Sequence, residues 1–367
     1  MLKKLDRQAG ARFLLTAASL VVVIAGVRAA APILLPFLLA LFLAILNLPL
    51  LGWLRGKRLP SPLAVLLTVA VNGTALLVLG LFVSRSIEAF IIAMPRYAAR
   101  FEMMYAAAAT TLEHRGIPVA EWVSLDMVNP GALFDFLSST VRGIAAVLTN
   151  VFLVLLILVF VLSEAAAFPA KVRAALGNAD ADLSRLSTMT REVQRFLYIK
   201  TLISLATGLL IGTSVWLLGL DFALLLGILA FLLNYVPNIG SILAAVPGIM
   251  LALIQYGFSR AIAVGLAYLA VNVLLGNILE PNLMGRKFGL STLVVVLSLI
   301  FWGWVLGPVG MLLSVPLTMV LKIMLEYTED FRWLAILLGG PEDATAPRTA
   351  VIEPAPQPQV VVDVAKS

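Results

Sequence analysis

Polar side chains are scarce in the long apolar stretches of this sequence, and several of them lie beside proline and glycine. Two segments show this pattern: Asn234-Tyr-Val-Pro237-Asn238-Ile-Gly240-Ser241 before Pro247, and Trp304-Val-Leu-Gly307-Pro308-Val-Gly310 before Pro316. Amide and hydroxyl groups beside a broken backbone suit a neutral polar solute, which needs hydrogen bonds rather than a counter-charge. Asn234 and Asn238 have the alternative role of capping broken helices, and Trp304 that of anchoring at a membrane interface.

Glu280 is the carboxylate of the segment 276–291, beside Pro281 and one turn after Asn277. Ionisable groups close to a membrane path are often functional, which makes Glu280 a candidate proton or cation site. The alternative is an ion pair with Arg286 or Lys287 in a cytoplasmic loop, which would contribute about 0–1 kcal/mol to stability.

The residue types needed for catalysis are missing from the apolar segments. The sequence has no cysteine, its one histidine is His114 in a polar stretch, and no glycine-rich Lys-Ser/Thr loop occurs. A thiol nucleophile, a cysteine-ligated metal and ATP-driven pumping are therefore excluded. We predict that the protein is not an enzyme and has no cofactor and no metal site.

The composition determines the class of protein that must position these residues. Of the 367 residues, 61% are hydrophobic and 13% are charged, and the mean hydropathy is +1.04. These values exclude a soluble globular protein and predict an all-α polytopic protein in a lipid bilayer. The net charge of +6 comes from basic residues beside apolar runs, where they orient a membrane protein and do not indicate nucleic-acid binding.

The two proline- and glycine-containing segments lie inside apolar runs of unusual length. Residues 221–257 contain no Lys, Arg or Glu, and residues 291–321 contain no charged residue. As single helices they would be about 45–55 Å long, against about 30 Å for a hydrocarbon core. Each half would reach only about 22 Å. We therefore predict two re-entrant helical hairpins with the proline and glycine residues at their tips. We also expect the two tips to be near neighbours, because their unpaired backbone groups are best buried against each other.

Six spanning helices accompany the hairpins. They are predicted at residues 13–27, 32–54, 62–84, 143–163, 197–219 and 261–279. The first resembles a signal peptide, but Pro32 and Arg28 spoil the cleavage sites, so an uncleaved span is favoured. Basic clusters before the first span, after the second and around residues 171–200 place both termini in the cytoplasm. The two span-plus-hairpin units then have opposite orientations and form an inverted repeat.

The remaining segments lie outside the membrane core. Residues 85–142 form an external loop with an apolar helical stripe (Ile87, Phe90, Met94, Tyr97, Phe101, Met104 and Ala108), which packs on the protein's own outer surface or on another subunit. Residues 183–196 predict a cytoplasmic amphipathic helix at the interface. The predicted units are a scaffold of spans one to three (1–84), the external loop (85–142), the fourth span with the amphipathic helix (143–197), a transport unit (198–330) and a disordered tail (339–367).

Two motifs resemble those of the autoinducer-2 exporter family, AI-2E, in its TqsA-like branch. One runs from Gly276 through Glu280-Pro281, Gly285 and Gly289 to Ser291, and continues through Phe301-Trp-Gly-Trp304 and Gly307–Gly310 to Pro316-Leu-Thr318. The other is the segment Asn234–Ser241. The resemblance covers roughly residues 10–330 and includes the order of the spans.

This resemblance implies a homo-oligomeric transporter of the bacterial inner membrane, with an elevator-type movement and a small polar solute similar to autoinducer-2 as substrate. Two alternatives stay open, the first implied by the resemblance and the second not. Some relatives exchange sodium or lithium for protons, which makes sodium ions and protons candidate partners. A membrane scaffold or regulator is a different class, in which the external loop and the amphipathic helix would be the functional parts.

Overall fold

The fold is known from a computed structural model, which describes residues 2–114, 151–165, 168, 171, 174, 180–237, 239–284, 290–326, 328 and 331–340. This part of the chain is helical and contains no strand. The α-helices are α1 (Leu2–Ala29), α2 (Ala31–Gly56), α3 (Ser61–Glu113), α4 (Val151–Ala165), α5 (Asp180–Leu217), α6 (Ala223–Leu233), α7 (Ile239–Tyr256), α8 (Phe258–Val271), α9 (Glu280–Met284), α10 (Thr292–Glu326) and α11 (Arg332–Leu338). A π-helix, Asn272–Leu279, joins α8 to α9.

The third predicted span and the start of the external loop form one helix. Helix α3 has 53 residues, which corresponds to about 80 Å and far exceeds a hydrocarbon core. Phe90, Tyr97 and Phe101 of the predicted stripe are buried in the core that contains the first hairpin, and the rings of Phe90 and Phe222 are 5.4 Å apart. The stripe therefore packs on the protein's own surface, the first of the two predicted alternatives. Residues 115–142 of the loop and residues 143–150 of the predicted fourth span lie outside the described part.

The predicted amphipathic helix and the fifth span are also continuous, because both belong to the 38-residue helix α5. The prediction of a separate interfacial helix is wrong for Val193 and Phe196, the residues of its apolar face whose side chains the structure describes. Val193 and Phe196 are buried against Phe42 of α2 and against residues of α10. Their apolar face meets protein, which satisfies the same periodicity as a membrane interface does.

The first predicted hairpin is formed by α6 and α7. Asp221, before α6, and Gln255, near the end of α7, are 34 residues apart, or about 50 Å in a straight helix. The backbone N–H of Asp221 nevertheless donates to Oε1 of Gln255 at 3.1 Å, and Nε2 of Gln255 donates to Oδ2 of Asp221 at 3.1 Å. Tyr97 of α3 joins them, its hydroxyl donating to Oδ2 of Asp221 at 2.5 Å. The chain therefore reverses between α6 and α7. The end of this hairpin that lies opposite its tip is hydrogen-bonded to α3.

The second predicted hairpin lies within α10. Gly307, at φ 70° and ψ −156°, interrupts the helix with a backbone conformation that favours glycine. Nε1 of Trp302 donates to Oγ1 of Thr318 at 3.0 Å, whereas 16 residues of straight helix span about 24 Å. The backbone N–H of Ser291, directly before α10, donates to the carbonyl of Leu338 at the end of α11 at 3.2 Å.

The arms of the hairpins are less equal than the sequence predicts. Helix α6 has 11 residues and α7 has 18, about 16 and 27 Å. Six described helices are long and apolar enough to cross a membrane, and α7 and α10 are among them. The predicted first and fourth spans correspond, in the part that the structure describes, to the apolar helices Leu14–Ala29 and Val151–Ala165. The chain is thus a multi-pass membrane protein, while membrane re-entry and the inverted repeat stay predictions.

The orientation of the chain can be tested by cysteine labelling, because the natural sequence has no cysteine. We expect Arg58→Cys and Lys171→Cys to react with a membrane-impermeant thiol reagent from the cytoplasmic side, and Ser84→Cys from the outside. Ser84 lies about 35 Å along α3 from Ser61, roughly the thickness of the hydrocarbon core. Labelling Ser84→Cys and Lys171→Cys from the same side would contradict the topology.

Candidate functional site

Glycines bring the first hairpin into close contact with α5. A Cβ atom added to Gly208 would lie 2.8 Å from the carbonyl oxygen of Gly227, and one added to Gly227 would lie 3.1 Å from the Cα of Gly212. Small residues permit such backbone approach between helices in a membrane. This packing places the end of α6 beside the middle of α5.

The tip of the first hairpin is hydrogen-bonded to α5 at that point. Nδ2 of Asn234 donates to Oγ of Ser204 at 3.0 Å, and the hydroxyl of Tyr235 donates to Oγ1 of Thr201 at 2.8 Å. Asn234 is only 8% exposed. Asn234 follows the last residue of α6, but its side chain contacts another helix and does not cap its own. The predicted capping role of the side chain is therefore not seen, and its predicted role in binding a solute stays a prediction.

Lys200, one residue before Thr201, forms a buried ion pair with Glu280. Its Nζ lies 2.6 Å from Oε1 of Glu280, and the two side chains are 6% and 16% exposed. Arg286 and Lys287, which were the expected partners of Glu280, lie outside the described residues. The structure pairs Glu280 with Lys200. Lys200 belongs to the basic cluster that was predicted to mark the cytoplasmic side, and the structure shows that its side chain is buried in the protein. Removing one member of such a pair leaves an uncompensated buried charge.

One turn of α5 thus contacts both the first hairpin and the segment that leads to the second. We call this group the α5 junction; it consists of Lys200, Thr201, Ser204, Asn234, Tyr235 and Glu280. Lys200 and Ser204 are four residues apart and therefore share a helix face. The junction contains hydroxyl, amide and charged groups, and it lies on a helix that is long and apolar enough to cross a membrane. Groups of these kinds bind small polar solutes and cations in membrane proteins.

The π-helix Asn272–Leu279 ends directly before Glu280. Pro281 has no N–H for the carbonyl of Asn277, which disturbs regular α-helical hydrogen bonding at this point. Asn277 is exposed and takes no part in the α5 junction. Short π-helical turns occur frequently at functional sites, and this one determines where the carboxylate of Glu280 meets α5.

The second hairpin has its own close contacts. A Cβ atom added to Gly310 would overlap the carbonyl oxygen of Trp302 and would lie 2.6 Å from the Cβ of Leu306. Trp304 is exposed, with 54% of its surface accessible, and its ring lies 4.4 Å from the guanidinium carbon of Arg28. Trp304 thus contacts α1 and does not line the α5 junction.

The two hairpins belong to different apolar clusters. The first hairpin packs with α3 and with the C-terminal part of α5 through Leu226, Ala230 and Leu251. The second hairpin packs with α2 and with the part of α5 that precedes it through Val309, Leu313 and Met319. The prediction that the two tips are immediate neighbours has no support in these clusters, because each tip packs against a different part of α5. The structure therefore brings Asn234 and Glu280 together on α5, and it places Gly307, Pro308 and Gly310 elsewhere.

The other predicted site residues have mixed positions. Pro247 and Pro316 are buried inside α7 and α10, Ser241 is partly buried and Pro308 is exposed. Asn238 lies outside the described residues. Among the described residues, no group of three or more His, Cys, Asp and Glu side chains could hold a metal ion.

Comparison with known proteins now adds to this geometry. The profile of the AI-2E family transporters matches residues 17–330. The chain belongs to the AI-2E transporter family. Two relatives from Escherichia coli (strain K12) show how far the similarity extends. YhhT is 40% identical over 330 residues, which are 90% of this chain and 95% of YhhT. The AI-2 transport protein TqsA is 38% identical over 330 residues, which are 90% of this chain and 96% of TqsA.

Membership of the AI-2E family makes this chain a transport protein and not an enzyme. Sequence reasoning missed four members of the α5 junction in this AI-2E transporter: Lys200, Thr201, Ser204 and Tyr235. A signal for Lys200 existed, because the predicted fifth span begins at residue 197 and therefore contains it. An ionisable residue inside a span is a candidate for function. The hydroxyl groups gave no comparable signal, since serine and threonine commonly bond to their own helix.

Proposed function

We propose that this AI-2E protein is a secondary or facilitated transporter of the bacterial inner membrane that exports a small polar solute similar to autoinducer-2. The observation that carries the proposal is the α5 junction, in which the hairpin tip is fixed by neutral hydrogen bonds at Asn234 and Tyr235. The name of the 38% identical relative TqsA, an AI-2 transport protein, supports this choice of solute.

The junction supports a mechanism in which solute and protein compete for the same hydrogen bonds. In this structure the amide of Asn234 donates to the hydroxyl of Ser204, and the hydroxyl of Tyr235 donates to that of Thr201. A hydroxyl-rich solute can replace these bonds one for one, so that binding exchanges protein–protein for protein–solute contacts at small net cost. Release of the tip from α5 would then open the path. The family resemblance adds re-entry of both hairpins, an elevator-type movement and a homo-oligomer to this proposal.

A second candidate function is the exchange of sodium or lithium ions for protons. The observation that favours it is the carboxylate of Glu280. This side chain is only 16% exposed, and it already binds one cation, the ammonium of Lys200. A carboxylate at membrane depth is suited to proton or cation relay. Transport of radioactive sodium without any added organic solute would distinguish this exchange from solute export.

The proposal predicts that Asn234→Leu lowers export of autoinducer-2 by at least about tenfold. Leucine has a similar size but cannot hydrogen-bond, and a tenfold loss corresponds to about 1.4 kcal/mol, within the usual contribution of one such bond. The measurement is uptake of labelled autoinducer-2 into everted membrane vesicles, with the amount of inserted protein determined in each preparation.

Asn72→Leu is the matched control, because it also removes an asparagine from an apolar helix. Asn72 exchanges hydrogen bonds with Asn47 at 3.0 and 3.1 Å, away from the α5 junction. We expect this variant to retain at least about half of the wild-type uptake. Equal losses in both variants, or wild-type uptake in Asn234→Leu, would contradict a role of the hairpin tip in solute passage.

A further inference from the structure

The ion pair between Lys200 and Glu280 has properties that the binding of a neutral solute does not require. Both side chains are largely removed from solvent, where separate charges are costly and the carboxylate must retain a compensating positive charge. The pair also connects two elements, since Lys200 belongs to α5 and Glu280 begins α9 after the π-helix.

The other charged and titratable groups near Glu280 are few in the described part of the chain. From α5, Arg195 lies nearby, and its guanidinium donates to the backbone carbonyl of Leu283 at 3.3 Å. From the first hairpin, the Tyr235 hydroxyl donates to Thr201. Helix α8 contributes Tyr268 and, near its opposite end, Arg260. Lys200 is therefore the described cation that directly contacts the Glu280 carboxylate.

We propose that Lys200 is an internal counter-ion that occupies a monovalent-cation site at Glu280, and that a proton or a sodium ion can replace it there. The carboxylate retains one positive charge in either state, so the exchange does not leave Glu280 as an unpaired buried anion. The displaced ammonium of Lys200 must then release a proton or reach water, since it would otherwise be an unpaired buried cation. Replacement of Lys200 breaks the link between α5 and α9. The inference rests on the proposed transport function, to which it adds a coupling site.

The position of Lys200 explains how this exchange would reach the solute path. Thr201 and Ser204, which hold the tip of the first hairpin, lie on the same turn of α5 as Lys200. A shift of α5 against α9 changes the position of these hydroxyl groups relative to Asn234 and Tyr235. Binding of an external cation at Glu280 is thereby linked to release of the hairpin tip, because both sites contact the same turn of α5. The coupling of two sites requires such a link.

The test is thermal unfolding of the purified full-length protein, measured in sodium-free buffer across pH and at fixed pH with increasing sodium chloride, with choline chloride keeping the ionic strength constant. The variants are Lys200→Met, Glu280→Gln and the double variant. A matched control pair is Lys171→Met with Glu164→Gln, which removes a surface ion pair of 2.5 Å whose side chains are 66% and 53% exposed.

We expect Lys200→Met to leave the cation site at Glu280 free for a sodium ion or a proton. Its Tm should rise by at least about 3 °C with sodium, because a ligand that binds the folded state stabilises it. If the cation is a proton, the Tm should instead fall as the pH rises, because protonation removes the unpaired buried charge of Glu280 and its loss restores that charge. Glu280→Gln and the double variant should show neither response, and the surface control should match the wild type.

A response to sodium alone, to pH alone or to both supports the proposal and names the cation. A Tm of Lys200→Met that responds no more than that of the double variant, or a response that persists in the double variant, overturns it. If Lys200→Met does not fold, the wild type should respond at higher sodium or proton concentrations and Glu280→Gln should not, and equal responses overturn the proposal. None of these measurements involves autoinducer-2, so their outcome is independent of the vesicle experiment that tests solute export.

Discussion

Replacing Gly240 or Gly310 by alanine should lower transport by at least about tenfold while the protein still inserts into the membrane. Gly240 lies three residues after Pro237, and Gly310 lies two residues after Pro308. A Cβ atom at either position would overlap a backbone carbonyl oxygen of the preceding arm, that of Leu233 or that of Trp302. A backbone carbonyl cannot rotate away as a side chain can, so the tip must open. Gly310→Val, with a larger side chain, should abolish transport.

Gly26→Ala is the control for these substitutions. Gly26 lies inside α1, and a Cβ atom added there has no neighbour within 4 Å, so alanine should leave transport and thermal stability unchanged within error. The measurements are uptake into everted vesicles and the yield of inserted, monodisperse protein. Wild-type uptake in both Gly240→Ala and Gly310→Ala would show that close packing of the tips is not needed for transport.

Lys200→Met should destabilise the protein by about 3–5 kcal/mol, the usual result when one partner of a buried ion pair is removed. The double variant with Glu280→Gln should be closer in stability to the wild type than Lys200→Met is, because its junction contains no unpaired charge. The difference between the two effects gives the coupling energy of the pair. Chemical denaturation of the purified protein in detergent measures it.

The surface pair of Lys171 and Glu164 provides the comparison for this cycle. Both side chains are exposed, and exposed pairs contribute about 0–1 kcal/mol to stability. Its coupling energy should therefore be several times smaller than that of Lys200 and Glu280. Equal coupling energies for the two pairs would mean that Lys200 and Glu280 are solvated in the native protein.

The helical hairpins were predictable because their signal is local. Pro237, Gly240, Pro308 and Gly310 interrupt apolar runs that are too long for one crossing, and both interruptions lie at reversals of the chain. The apolar stripe of α3 was predictable for the same reason, since its spacing of three and four residues defines one helix face. Phe90 and Tyr97 are buried on that face.

The contacts between distant elements were not predictable in this way. Glu280 has nearby basic residues in the sequence, Arg286 and Lys287, but the structure pairs it with Lys200, 80 positions away. Periodicity also cannot tell a helix face that meets lipid headgroups from one that meets protein, which is why Val193 and Phe196 were assigned to an interface. The continuity of α3 and α5 was missed because a change in polarity does not by itself end a helix.

Reconstitution into liposomes tests the central claim, that this AI-2E protein moves a small polar solute through the α5 junction. The measurement is flux of labelled autoinducer-2 down its own gradient into vesicles that contain the wild type, Asn234→Leu or Asn72→Leu, with empty vesicles as background. We predict flux well above background for the wild type and Asn72→Leu, and at least about tenfold less for Asn234→Leu. Flux at background for the wild type, with and without imposed sodium and proton gradients, would contradict autoinducer-2 export and leave cation exchange or a scaffold role as the function.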